Sequence, residues 1–91
     1  MDVQWTSEGL SDLARLHDFL APVNKLAAAR VVQSLTAAAL KLPANPRIGR
    51  KLEQFEPREV RRIFAGDYEI RYEIAGPAIY VLRIWHTKEN R

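Results

Sequence analysis

Three residues near the end of the chain have side chains that phosphodiester chemistry uses: Arg71, Arg83 and His86. Guanidinium groups bind phosphate through two parallel hydrogen bonds, and a nearby histidine could act as a general acid. Residue alternation in a strand, however, places His86 with Leu82 and Ile84, away from the two arginines. A single catalytic cluster therefore requires a twist or a bulge there, and a structural or partner-contacting role for His86 stays open.

The same segment also suits binding without catalysis. Arg71, Arg83 and Trp85 are predicted to share one uncovered sheet face, which could bind an acidic peptide or, through phosphate contacts and base stacking, a nucleic acid. A second basic group consists of Arg58, Arg61 and Arg62. Both groups could equally be solvated faces in which arginines balance glutamates on neighbouring strands.

Other catalytic templates are missing from the sequence. The chain has no cysteine and two histidines, which leaves no thiolate site and too few ligands for a typical histidine metal site. It also lacks a phosphate-binding loop, a dinucleotide glycine fingerprint and a paired-histidine zinc motif. We therefore expect no metal and no cofactor, and we leave open whether the protein is an enzyme.

The positive charge is concentrated in the second half. Residues 1–46 carry four basic and four acidic side chains, whereas residues 47–91 carry ten and seven, which accounts for the net charge of +3. No apolar run approaches the roughly 20 residues that span a bilayer, and the N-terminus lacks an export signal. We expect one cytoplasmic domain over residues 1–91 without membrane contact, because a chain this short has interior for one core.

Two amphipathic helices are predicted in the first half, after a β-type stretch at residues 3–5. Thr6 or Ser7 caps the first helix, which ends near Leu20. Its predicted apolar face is Leu10, Leu13, Ala14, Leu16 and Leu20, and its predicted solvent face is Asp12, Arg15 and Asp18. The second helix runs from about Asn24 to Leu42. Its predicted apolar stripe is Leu26, Ala29, Val32, Leu35, Ala39 and Leu42.

Alternating β-branched and aromatic residues follow the prolines at 43 and 46. They predict strands at residues 59–64, 68–75 and 78–85, joined by two tight turns. The predicted core positions are Tyr68, Ile70, Tyr72 and Ile74 in the middle strand, and Tyr80, Leu82 and Ile84 in the last. Ile79, Val81, Arg83 and Trp85 are expected to point outward. The predicted fold is α+β, in the order β-α-α-β-β-β, with an antiparallel sheet packed on a two-helix hairpin.

A series of short motifs runs through the whole chain. In order they are Trp5-Thr6, Asp12-Leu13, Asn24 with Ala27-Ala28, Pro46 with Gly49-Arg50, Arg58-Glu59-Val60, Tyr68-Glu69-Ile70-Arg71-Tyr72, and Val81-Leu82-Arg83-Ile84-Trp85-His86. The series resembles the ParE branch of the ParE/RelE superfamily, the toxins of bacterial type II toxin–antitoxin pairs that include plasmid stabilization proteins. Each motif is weak alone, and it is their order that carries the resemblance.

The resemblance implies a growth-inhibiting toxin neutralised by a ParD-like antitoxin, expected to be a ribbon-helix-helix DNA-binding protein. ParE-like members are associated with poisoning of DNA gyrase by binding, whereas RelE-like members cut mRNA on the ribosome. Few lysines in the sheet and no tyrosine after the final histidine favour gyrase binding, and no sequence-specific nucleic-acid contact is expected. A degenerate domain that binds its antitoxin and helps autoregulate transcription is a further alternative.

Site residues follow for each alternative. The expected gyrase surface is Arg71, Arg83, Trp85, His86, Lys88 and Arg91. The expected nuclease residues are Arg71, Arg83 and His86. The expected antitoxin contacts are Arg58, Arg61, Arg62, Leu16, Leu20 and Leu35.

Overall fold

The structure, a computed structural model, describes residues 1–89 as two helices packed on a five-stranded mixed sheet, which confirms the predicted α+β fold. The elements are β1 (Asp2–Trp5), α1 (Ser7–Leu20), α2 (Lys25–Leu40), β2 (Arg50–Lys51), β3 (Glu59–Ala65), β4 (Tyr68–Ala75) and β5 (Ala78–His86). Two short 3-10 turns lie at Leu42–Ala44 and Glu53–Phe55.

The strand order across the sheet is β1-β5-β4-β3-β2. The predicted meander is confirmed, since β3, β4 and β5 pair antiparallel in sequence. Two features were not predicted. The first strand pairs with β5 in parallel, so the sheet is not wholly antiparallel, and the two-residue β2 adds a fifth strand beside β3. No helix in the described part of the chain is long and apolar enough to cross a bilayer.

Both helices begin at capping side chains. The hydroxyl of Thr6 accepts a hydrogen bond from the Gly9 N–H at 3.0 Å, and the Asn24 side chain accepts one from the Ala27 N–H at 3.0 Å. Such caps satisfy amide groups that have no partner within the helix. The α2 helix ends two residues earlier than predicted, because the 3-10 turn that contains Pro43 replaces its last turn.

The buried faces of the helices differ from the predicted ones. In α1, Leu10 is 53% exposed and Ala14 is exposed, whereas the acidic Asp12 is only 5% exposed. The helix is rotated because Gly9 lies against the sheet, where a Cβ atom would come within 2.6 Å of the Val81 carbonyl oxygen. In α2, Leu26 and Ala29 are exposed; Ala28, Leu35 and Ala39 are its buried residues.

The core lies between the hairpin and one sheet face. One cluster of buried residues contains Leu16, Leu35, Ala39, Ile70, Val81 and Ile84. The other contains Leu42, Tyr72, Ile74 and Ile79. The predicted inward set of β4 is therefore confirmed.

The predicted alternation of β5 was wrong for its first half. Ile79 and Val81 are fully buried in the core, whereas Tyr80 and Leu82 are only partly buried. The cause is a bulge: Arg71 pairs with Arg83 but its neighbour Tyr72 pairs with Val81, so Leu82 is an extra residue. A bulge reverses the alternation beyond it. The predicted inward Ile84 and the predicted placement of Arg83 and Trp85 on the other face are therefore confirmed.

Candidate functional site: an arginine row on the outer sheet face

The sheet face that points away from the helices carries a row of four arginines on four neighbouring strands. Arg50 pairs with Arg62, Arg62 pairs with Arg71, and Arg71 pairs with Arg83. Directly paired residues share a face, and strands lie about 4.8 Å apart, so this arginine row spans about 14 Å. Arg71 and Arg83 were predicted on this face but the row was not, because no strand was predicted at Arg50 and the pairing register cannot be read from the sequence.

Like charges directly opposite one another destabilise a sheet, and few acidic groups offset them here. The carboxylate of Glu69, which is 4% exposed, lies 3.9 Å from an Arg62 nitrogen and 3.5 Å from an Arg71 nitrogen. The Nε of Arg62 is buried and donates to no atom of residues 1–89. A buried donor without a partner costs about 1–3 kcal/mol. The row is therefore maintained at a cost to stability.

Aromatic rings contact three of the four arginines in the row. The Arg71 guanidinium carbon is 4.7 Å from the Trp85 ring centre and 5.2 Å from that of Phe55. Arg62 stands 5.4 Å from the ring of Phe64, and Arg83 stands 5.8 Å from that of Trp85. Cations at these distances are attracted to the ring faces. The rings fix the guanidinium groups in place and leave part of each exposed.

The outer face is less open than predicted. Trp85 is only 3% exposed and Val60 is fully buried, although both lie opposite the helical core. The 3-10 turn that contains Phe55 lies against this face, as the contact of Phe55 with Arg71 shows. Trp85 therefore supports the arginines, and the accessible aromatic ring is Phe64, which is 56% exposed.

Arg83, the arginine at the β5 end of the row, is bound to α1. Arg83 donates to Asp12 at 2.7 and 3.3 Å, and the Ile84 N–H donates to the same carboxylate at 2.9 Å. Burial alone would raise the pKa of Asp12, but these hydrogen bonds and the charges of Arg83 and Arg15 outweigh it, so the pKa lies below its ordinary value of 3.8. Asp12, which the sequence placed in water, orients the end of the row.

The three basic residues Arg58, Arg61 and Arg62 do not form one surface. Arg58 makes two hydrogen bonds to Glu73 at 3.1 and 2.8 Å, and the pKa of Glu73 is lowered by them. Arg61 alternates with Arg62 and faces the opposite side, where it donates to Glu59 at 2.9 Å and to the Gly49 carbonyl at 2.7 Å. Of the three, only Arg62 belongs to the row.

A buried tyrosine anchors the loop that leads into the row. The Tyr72 hydroxyl accepts from the Gly49 N–H at 3.0 Å and donates to the Pro46 carbonyl at 2.7 Å. Burial raises the pKa of Tyr72. A Cβ atom at Gly49 would lie 2.6 Å from both the Tyr72 hydroxyl and the Arg62 carbonyl. The glycine therefore lets the loop approach closely enough to pair Arg50 with Arg62.

His86 lies on the core side of the sheet, away from the row. Its ring stands edge-on to Tyr68 with ring centres 5.1 Å apart, and its Nδ1 accepts from the Lys88 N–H at 3.1 Å. The structure thus does not bring His86 to Arg71 and Arg83, and the bulge at Leu82 does not change this. Lys88 is exposed near the groove described below, and Arg91 lies outside the described residues.

A groove of about 530 Å³ lies between α1 and the end of β5. We call it the hairpin groove; its lining residues are Arg15, Leu16, Phe19, Leu20, Tyr68, His86, Lys88 and Glu89. Of the predicted antitoxin contacts, Leu16 and Leu20 line it. Leu35 has no exposed surface, so its expected contact was wrong: it supports the groove from the core.

The arrangement can bind anions but does not suggest a proton transfer. Arginine stays protonated throughout the physiological range, so the row attracts and orients carboxylates or phosphates without exchanging protons with them. Among residues 1–89, no group of three or more histidine, cysteine or acidic side chains is placed to hold a metal ion.

A two-helix hairpin on a mixed sheet with a basic outer face defines a small α+β domain that can bind anions, and comparison with known proteins specifies its family. Residues 3–91 match the family model described as ParE toxin of type II toxin-antitoxin system, parDE. A similar solved structure is the chromosomal ParDE TA system from P. aeruginosa. It has a TM-score of 0.79 and 21% identity, covers 94% of this chain and 95% of that one, and shows the same fold.

Two curated relatives come from Caulobacter vibrioides (strain ATCC 19089 / CIP 103742 / CB 15). Toxin RelE2 is 34% identical over 85 residues, which is 93% of each chain. Toxin RelE1 is 37% identical over 81 residues, which is 88% of this chain and 86% of the relative. The chain therefore belongs to the ParE toxin family of type II toxin–antitoxin systems, within the ParE/RelE superfamily.

Proposed function

We propose that this toxin arrests growth in the cytoplasm by binding DNA gyrase through the arginine row, and that a ParD-like antitoxin neutralises it. The observation that carries the proposal is the row itself. Four paired arginines with a buried unpartnered donor are costly to the fold, and such a cost is expected where a surface binds a partner. Because guanidinium groups do not exchange protons near neutral pH, the row favours binding over catalysis.

A supercoiling assay with purified gyrase tests the target. We expect the toxin to inhibit supercoiling of relaxed plasmid, and Arg62→Gln or Arg71→Gln to weaken inhibition by about tenfold or more, since loss of one well-placed ionic contact costs about 1.5–3 kcal/mol. The matched control is Arg30→Gln, which removes the same charge from an exposed position on α2 and should inhibit like the wild type. Unchanged gyrase activity at high toxin excess would exclude the mechanism.

Ribosome-dependent cleavage of mRNA is the second candidate. The observations in its favour are the two relatives named RelE toxins and the suitability of an arginine row for a phosphate backbone. The position of His86 on the other side of the sheet counts against a cluster of Arg71, Arg83 and His86. Primer extension on mRNA from induced cells tests this candidate: cuts at fixed codon positions that His86→Gln abolishes would support it, and intact mRNA would exclude it.

The antitoxin is expected to bind the hairpin groove with an acidic amphipathic segment. The groove floor is apolar and Phe19 beside it is 80% exposed, as is common for surfaces that bind a partner helix. Co-purification with the product of the adjacent small open reading frame tests the pair. A chain that retains that product but does not arrest growth when it is expressed without the antitoxin would instead be a degenerate toxin-like domain.

A further inference from the structure

The free edge of β5 is closed by side chains instead of a strand. Strand β1 pairs with β5 only as far as Trp5 and Val81, and beyond that pair no strand of residues 1–89 lies on this side. Asp12 accepts from the Ile84 N–H at 2.9 Å, and Arg15 donates to the Ile84 carbonyl at 3.3 Å. Side chains of α1 thus make the hydrogen bonds that a neighbouring strand would make.

The last backbone N–H on this edge, that of His86, is hydrogen-bonded to Glu89, which follows β5 in the chain. One carboxylate oxygen of Glu89 accepts from the His86 N–H at 2.9 Å, and the other pairs with the Arg15 guanidinium. The hydrogen bond that Arg15 donates to Glu89 is the main reason that the pKa of Arg15 is raised. This site therefore already binds a carboxylate, held between a backbone N–H and a cation at the rim of the hairpin groove.

The contact that holds Glu89 is weak. Three hydrogen bonds form the turn after β5: the Glu89 N–H donates to the His86 carbonyl at 3.0 Å, the Thr87 N–H donates to the Asp67 carbonyl at 2.9 Å, and the Lys88 N–H donates to the His86 ring. The Arg15 side chain is 46% exposed. The Glu89 side chain is 29% exposed. A partly exposed ion pair of this kind shifts an equilibrium by about fivefold, so a carboxylate that makes the same contacts with Arg15 and the His86 N–H can displace Glu89.

We propose that Glu89 occupies the position of an antitoxin carboxylate. The contacts of Glu89 with Arg15 and the His86 N–H form a latch, which the antitoxin opens when it binds the hairpin groove. The proposal rests on the proposed toxin–antitoxin pairing. An occupant that suits the site has apolar residues for the floor of Leu16, Leu20 and Tyr68 and an acidic residue at one end for Arg15. A net acidic partner would suit the net charge of +3 of this chain. The latch lowers the apparent affinity, because only the open fraction binds.

The latch is tested by titrating labelled antitoxin, the purified product of the adjacent open reading frame, with toxin variants. The quantity measured is the affinity of each variant for the antitoxin. Glu89→Ala is expected to bind about fivefold more tightly than the wild type, because the closed fraction no longer competes. The matched control is Glu53→Ala, which removes an equal charge from an exposed residue outside the groove and reports any general electrostatic gain. In an Arg15→Gln background, binding should weaken and Glu89→Ala should no longer tighten it.

The outcomes separate the latch from the pairing. If the wild type binds the antitoxin but Glu89→Ala binds no more tightly than Glu53→Ala, the latch is refuted while the pairing stands. If the wild type does not bind the antitoxin at all, the pairing itself fails. Glu89→Ala that self-associates with no gain in antitoxin affinity would identify a second copy as the occupant and refute the latch.

Discussion

Removal of the Asp12 carboxylate should destabilise the fold more than any other single charge change in α1. Asp12→Ala leaves the Ile84 N–H, on a residue with no exposed surface, without its acceptor, and it deprives Arg83 of two hydrogen bonds. An unpaired buried donor costs about 1–3 kcal/mol and a bond to a charged group about 1.5–3 kcal/mol. We therefore expect a loss of about 3 kcal/mol, a large part of the roughly 5–10 kcal/mol that stabilises a domain of this size.

Two further variants separate the hydrogen bond from the charge. Asp12→Asn keeps an oxygen for the Ile84 N–H and should lose only about 1 kcal/mol. Asp18→Asn, whose side chain is 78% exposed, should change stability by less than about 0.5 kcal/mol. The assay is urea unfolding followed by circular dichroism, with a common slope for all variants. The reasoning is refuted if Asp12→Ala unfolds at the same urea concentration as Asp18→Asn.

Three other predictions concern the Tyr72 anchor, the close approach at Gly49 and the carboxylates with lowered pKa values. Tyr72→Phe should lower the free energy of unfolding by about 1–3 kcal/mol, measured by urea titration, because a buried N–H and C=O lose their partner. Gly49→Ala should cost about 1–3 kcal/mol by overpacking against Tyr72, and it should also reduce growth arrest by displacing Arg50. The pKa values of Asp12, Glu59 and Glu73 are lowered in the folded chain. The contribution of these carboxylates to the stability of the fold is therefore complete above their ordinary pKa values of 3.8 to 4.5. This stability is lost as the pH falls below those values. Thermal unfolding temperatures measured between pH 2 and 7 should therefore fall at low pH, and a flat profile would contradict the prediction.

Local sequence signals predicted both helices, β1 and the three strands of the meander, because the causes of these elements are local. The cap at Thr6, the start of the second helix near Asn24 and the alternation in β4 depend on neighbouring residues, and the structure confirms them. The inward face of β5 could not be predicted, since the bulge at Leu82 depends on pairing with Arg71. Burial of Asp12 depends on the open edge of a strand more than 70 residues away.

The candidate site was predictable only in part for the same reason. Composition identified arginines in the second half, but the row exists through strand register, which brings Arg50 beside Arg62 and Arg62 beside Arg71. The separation of His86 from the arginines did follow from alternation, because the bulge lies before both Arg83 and His86.

Growth arrest by Arg62→Gln, measured beside its unfolding midpoint, tests most directly whether the arginine row is kept for binding. The substitution removes a buried unpartnered donor and a positive charge that stands between those of Arg50 and Arg71. We therefore expect the midpoint to stay equal or rise while growth arrest is lost, with Arg30→Gln remaining toxic at the same soluble level. Full toxicity of Arg62→Gln, or a toxicity loss that tracks unfolding, would contradict the account.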